Sequence, residues 1–158
     1  MPVTVGSPVP SASLVALGEA GPQTVNTSDL KGETTVLLFF PLVNTGVCEK
    51  ELCTIRDTLQ QYKNLKARVI AISVDSPFAQ KLWAEKEGFQ YEFWSDFNKE
   101  AIQAFDCAHE ELVGLKGVAK RSAFVVGPDG TIRYAWVSDD PKVLPSFDEI
   151  QAVLKNES

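Results

Sequence analysis

Two cysteines five positions apart, Cys48 and Cys53 in the run FFPLVNTGVCEKELC, are the residues best suited to chemistry. Two thiols so spaced admit a clamp for a soft metal ion, a redox pair, or half-buried filler. The neighbours favour a nucleophile. Pro41 closes an apolar strand and forces a tight connection, so Cys48 falls at the start of the next helix, on the stripe of Leu52, Ile55 and Leu59. A thiol there meets unpaired backbone N–H groups and the positive end of the helix dipole, which favour thiolate. Ionisation alone gains little: a free thiol of pKa ~8.5 is a few per cent ionised at pH 7, so full ionisation raises rate roughly 30-fold, or ~2 kcal/mol. The rest must come from donors aimed at the charge that develops on the group attacked. Thr45 supplies a hydroxyl, the turn amides supply N–H groups, and Arg121 in GVAKRSAFVV supplies a cation at the start of a strand that reaches the same end of the sheet. Glu51, one helical turn beyond Cys48, is placed to hold that guanidinium.

The elements that must carry these residues follow from the apolar patterning. TTVLLFF (34–40) and ARVIAISV (67–74) are nearly continuous apolar runs, as expected of central strands covered on both faces. Between them Leu52, Ile55, Leu59 and Tyr62 mark one face of a helix, and strand, helix, strand in that order makes a right-handed parallel unit. SPFAQKLWAEKEGF predicts a second helix, with Ser76 as cap, Pro77 in the first turn and Gly88 as stop. SAFVV and TIRYAWV flank the turn GPDG and predict an antiparallel pair, and PSFDEIQAVLKNE predicts a last helix. Ahead of the first central strand, SLVALGEAGPQTVNTSDLKG suggests a small hairpin and a turn of helix. The sum is an α/β domain, a mixed sheet with helices on both faces in the order β-α-β-α-β-β-α.

PLVNTGVCEKE resembles the peroxiredoxin signature Pro-x-x-x-Thr-x-x-Cys-x-x-Glu, which Pro41, Thr45, Cys48 and Glu51 fill, with Arg121 at the family's arginine. The likeness spans nearly the whole chain. FFPLVNTGVC, AISVDSPFAQKLWAEKEGF and SDFN resemble the AhpE branch, whereas a second cysteine five residues after the first resembles the bacterioferritin comigratory protein branch, PrxQ. The resemblance implies a thioredoxin-like fold with an N-terminal β-hairpin extension over a single domain, 1–158. It implies reduction of hydrogen peroxide or organic hydroperoxides without metal or organic cofactor. Cys48 would be the peroxidatic cysteine, oxidised to a sulfenic acid, and Cys53 the resolving cysteine, with thioredoxin or another thiol as reductant. The PrxQ likeness suggests a monomer, the AhpE likeness a homodimer. Residues five apart in an intact helix are about 8.6 Å apart at Cα, beyond the ~7 Å that a disulfide tolerates, so resolution would require unwinding from Cys48 to roughly Ile55. If Cys53 is only a half-buried helix residue, the protein is a one-cysteine peroxidase resolved by an external thiol.

Other classes remain open on the residues alone. Cys48, Cys53, Cys107 and His109 form the ligand set of a structural zinc site, although a helix points the first two apart. A thioredoxin-type oxidoreductase calls for Cys-x-x-Cys, which does not occur. Cys107 reads as core, and Trp83, Phe89, Phe93 and Trp94 as an aromatic cluster around the second helix. A formal net charge of −6 with acids and bases interspersed argues against nucleic acid and anionic membrane partners. The opening residues resemble neither a signal peptide nor an anchor, so a cytoplasmic location and reduced thiols are expected.

Overall fold

The computed structural model describes residues 3–157, the side chain of Cys48 excepted. Its centre is β3 (Thr34–Phe39), every residue of which is buried. Alternate side chains of this strand enter two cores: Leu37 and Phe39 one, Val36, Leu38 and Phe40 the other. β3 pairs in parallel with β4 (Ala67–Ser73) through the crossover helix α1 (Gly46–Asn64), as the strand, helix, strand pattern predicts. Leu52, Ile55 and Tyr62 carry the buried face of α1.

α2 (Pro77–Glu87) starts and stops where the capping residues indicate. The Ser76 hydroxyl accepts from the Ala79 N–H at 3.1 Å, and Gly88 takes the left-handed conformation at φ 73°. β6 (Ser122–Val126) runs antiparallel to β3, and β7 (Ile132–Val137) antiparallel to β6. α4 (Phe147–Glu157) closes the fold and packs Ile150 and Leu154 onto the face shared with α1 and α2. No helix of the described residues is long and apolar enough to cross a membrane.

Two elements escape the sequence pattern. β5 (Glu92–Ser95) is a four-residue strand parallel to β4, and α3 (Glu100–Ala104) a five-residue helix. β5 has no polar and apolar alternation to betray it, because both of its faces are aromatic. Phe93 joins Phe40, Trp83, Phe89 and Tyr91, but Trp94 points to the opposite core under the Arg68 guanidinium. The expected four-aromatic cluster therefore loses Trp94 to the other face and gains Phe40 and Tyr91. α3 is too short to show periodicity; the Asp96 carboxylate accepts from the Ala101 and Ile102 amides at 3.0 and 2.7 Å and fixes its start.

The hairpin β1 (Ser13–Gly18) and β2 (Gly21–Asn26) is not an appendage. β1 pairs antiparallel with β5, so one seven-stranded sheet runs β2-β1-β5-β4-β3-β6-β7. The carboxyl ends of β3 and β4 and the start of β6 meet at one end of it, where the turn into α1 lies.

Candidate active site

The turn from β3 to α1 is held from below. The Val43 N–H donates to Asp75 Oδ2 at 2.9 Å, Ser73 donates to the same oxygen at 2.7 Å, and the buried Gln80 amide donates to Ser73 at 3.0 Å. Asn44 is left-handed at φ 59°, a conformation asparagine tolerates. Thr45 is the N-cap of α1 yet makes no side-chain cap; its hydroxyl donates to the Leu42 carbonyl at 3.1 Å. The Glu49 N–H closes the first helical bond on Thr45 at 2.8 Å, which leaves the earlier first-turn amides without intrahelical acceptors. Cys48 belongs to this first turn by position, and its side chain lies outside the described residues.

Arg121 and Glu51, seventy residues apart, meet in the interior. Arg121 Nη1 donates to Glu51 Oε1 at 2.6 Å, both side chains being at most 1% exposed. Arg121 Nε donates to the Pro141 carbonyl at 3.1 Å. The register Phe39↔Ser122 is what brings Arg121 to the end of β3. Burial pushes the Glu51 carboxyl up to about 7 against the opposing pull of Arg121, and Glu51 Oε2 has no partner among the described residues. Pro41, Thr45 and Arg121 line one cleft of about 220 Å³ with Leu42, Val47 and Val113. Of the six residues expected at the site, Pro41, Thr45, Glu51 and Arg121 are thus gathered at the start of α1.

Cys53 stands apart from this cleft, half-buried on α1 beside α2. Burial raises its pKa first of all; Arg56 opposes, and the carboxylates of Glu87, Glu49 and Asp57 raise it further. Within the folded helix it is a thiol rather than a nucleophile. Cys107 is fully buried in the core on the opposite face of the sheet, where burial pushes its thiol up to about 12. A zinc site using both Cys53 and Cys107 is therefore not assembled: the sheet separates them. His109 is 8% exposed and its pKa is lowered, by burial first and then by Lys120.

The chain matches the AhpC/TSA family model over residues 5–135. It is 36% identical to alkyl hydroperoxide reductase E of Mycobacterium tuberculosis over 136 residues, 84% of each chain. It belongs to the AhpC/TSA family. This peroxiredoxin, an oxidoreductase of the thiol-peroxidase class, is also 29% identical to the mitochondrial thioredoxin-dependent peroxide reductase of Drosophila melanogaster, over 97% of this chain and 66% of that one. In fold it is similar to a peroxiredoxin-like protein from Aquifex aeolicus, with a TM-score of 0.86 at 24% identity, covering 100% of this chain and 90% of the other. The thioredoxin-like architecture expected from the sequence is the one observed.

The residues that sequence reasoning missed are supports: Ser73, Asp75 and Gln80 beneath the turn, the Pro141 carbonyl against Arg121, and Leu112 and Val113 beside the cleft. Asp75 left a readable signal, a carboxylate just past the end of a parallel strand, where open α/β sheets place their sites. The Thr45 geometry makes a prediction. With its proton committed to Leu42, the hydroxyl of this cleft-lining residue has only lone pairs left to offer, as an acceptor. Thr45→Val is expected to lower the rate with peroxide by about 10²-fold, and Thr45→Ser to retain most of it, as measured by stopped-flow fluorescence.

Glu51 makes another. A carboxyl whose folded pKa of about 7 exceeds its ordinary value of 4.5 contributes stability that is complete below the lower value and lost as pH rises through the upper one. Between those limits the stability of the wild type relative to Glu51→Gln should fall by about 3 kcal/mol, at ~1.4 kcal/mol per pKa unit. Urea titrations at a series of pH values read that difference, and a difference independent of pH would show that Glu51 is ionised throughout.

Proposed function

We propose that this peroxiredoxin reduces hydrogen peroxide and organic hydroperoxides through Cys48, with Cys53 as the resolving cysteine. The observation that carries the reading is the buried Arg121–Glu51 pair at the start of α1, whose Arg121 lines a cleft with Pro41 and Thr45. A guanidinium has five donors in a fixed fork, and Glu51 and Pro141 orient it from the protein side. It favours the Cys48 thiolate and the negative charge that builds on the peroxide oxygens.

In the first step the Cys48 thiolate attacks one peroxide oxygen. An S–O bond forms, the O–O bond breaks, and the departing oxygen takes a proton to leave as water or alcohol. Cys48, oxidised by two electrons, becomes a sulfenic acid. In the second step α1 unwinds, Cys53 loses its proton and attacks the Cys48 sulfur; an S–S bond forms and the S–O bond breaks, releasing water. A dithiol reductant, thioredoxin by the family's habit, returns the two electrons. Within the chain Cys48 and Cys53 carry the redox steps without calling on a resident metal or organic cofactor, and the electrons that close the cycle come from the external dithiol.

Intact-mass analysis tests this. Reduced wild type treated with one equivalent of hydrogen peroxide is expected to lose two hydrogens, Cys53→Ser to gain one oxygen, and Cys48→Ser to remain unchanged. A wild type that accumulates added oxygen assigns the protein to the one-cysteine class, resolved by an external thiol. A Cys48→Ser variant that reacts as fast as wild type sinks the reading.

A further inference from the structure

Between α3 and β6 the chain makes a hairpin excursion whose base is the pair His109 N–H to Val118 carbonyl and Gly117 N–H to His109 carbonyl, at 2.8 and 3.0 Å. Its tip is closed by reciprocal bonds between Leu112 and Leu115, both 2.8 Å. The two residues between them, Val113 and Gly114, have φ of 48° and 82°. Two central residues with positive φ make a type I′ turn, which selects Asn, Asp or Gly at its first central position. A β-branched residue there is strained. Packing does not explain the choice, because Val113 is 80% exposed. A residue that breaks the rule of its own turn without a gain in the core points to function.

The same valine lines the cleft that holds Thr45 and Arg121. Apart from those two, Gly46 and Lys142, the lining is apolar: Pro41, Leu42, Val47, Leu112, Val113 and Pro141. At about 220 Å³ the cleft is several times larger than two peroxide oxygens need, at roughly 30 Å³ for each water-sized atom. The polar end is spoken for by Thr45 and Arg121, and the remainder suits hydrocarbon. We infer that Val113 is a specificity-determining residue, held by its strained turn as an apolar lip over the alkyl part of an organic hydroperoxide. This rests on the peroxidase reading above.

The test is kcat/KM for hydrogen peroxide and for n-alkyl hydroperoxides from ethyl to hexyl, in wild type, Val113→Asn and Val113→Gly, with melting temperatures and sedimentation for each. In wild type each added methylene that enters the cleft should raise kcat/KM about fourfold, the equivalent of ~0.8 kcal/mol per buried CH₂. Both variants should flatten that slope and lower the hexyl-to-hydrogen-peroxide ratio by about fivefold. Val113→Asn should also melt about 2–4 °C higher, because the turn is relieved. A merely structural valine would not move the slope. An unchanged ratio in both variants overturns the inference: with lower melting temperatures it makes Val113 a folding residue, and with weakened self-association it makes the lip a contact between copies. A wild type that does not consume hydrogen peroxide at all overturns the peroxidase reading first, and this inference with it.

Discussion

Replacing Arg121 with methionine is expected to slow reaction with hydrogen peroxide by about 10²–10³-fold, the cost of removing one preorganised donor from developing charge. The same change should destabilise the fold by about 3–5 kcal/mol, because it leaves a buried carboxylate without its counter-charge. The two losses have separate causes. Glu51 is fully buried with one oxygen already unpartnered among the described residues, so loss of Arg121 forces it to bind a proton in the folded state. Adding Glu51→Gln to Arg121→Met removes the charge that needs neutralising, and stability should return to within ~1–2 kcal/mol of wild type. Activity should not return if, as proposed, the guanidinium acts on the peroxide and not only on Glu51. Urea unfolding and stopped-flow kinetics on the wild type, both single variants and the double variant resolve this cycle. A double variant that is both stable and fast would show that Arg121 serves the fold alone.

The cycle turns on two residues whose partnership was legible from spacing. Glu51 was placed by its helical turn beyond Cys48 and Arg121 by its position before an apolar strand, and the β3–β6 register converts those two placements into a 2.6 Å contact. What periodicity could not reveal lies in segments too short to have a period. β5 spans four residues with an aromatic on each face, and α3 spans five. Their absence from the sequence reading also hid how the hairpin joins the sheet, since β1 pairs with β5. The supports of the active-site turn were illegible for another reason. Asp75 and Gln80 act on Val43 and Ser73 through a sheet end that exists only after β3 and β4 have paired. The Leu112–Leu115 turn was missed because its sequence contradicts its conformation: with Val in place of Asn, the strongest short-range hairpin signal is absent.

Oxidation of the wild type should abolish the hydrogen-exchange protection of the amides from Glu49 to Ile55 while leaving that of β3, β4 and α4 intact. In the folded helix Cys48 and Cys53 have Cα atoms about 8.6 Å apart by helix geometry, against the ~7 Å limit for a disulfide. Cys107 offers no escape, because it is buried on the far side of the sheet from Cys53. A chain that has joined Cys48 to Cys53 must therefore have opened the start of α1. The opening carries Leu52 and Ile55, both fully buried, out of the core, at a cost of about 1.5–3 kcal/mol for each. It also breaks two ties, the Tyr91 hydroxyl on the Leu52 carbonyl at 2.7 Å and the Arg56 guanidinium on the Glu87 carbonyl at 2.6 Å. Those ties oppose unwinding. Tyr91→Phe, which removes the first and keeps the ring stacked against Phe89 and Phe93, should speed disulfide formation by about 5- to 10-fold, the equivalent of ~1–1.5 kcal/mol for a buried hydrogen bond. The same variant should resist over-oxidation at high peroxide, since a sulfenic acid resolved sooner meets less peroxide. Retained protection across Glu49 to Ile55 in a protein that has lost two hydrogens would place the disulfide between chains, and local unwinding would then have no part in the cycle.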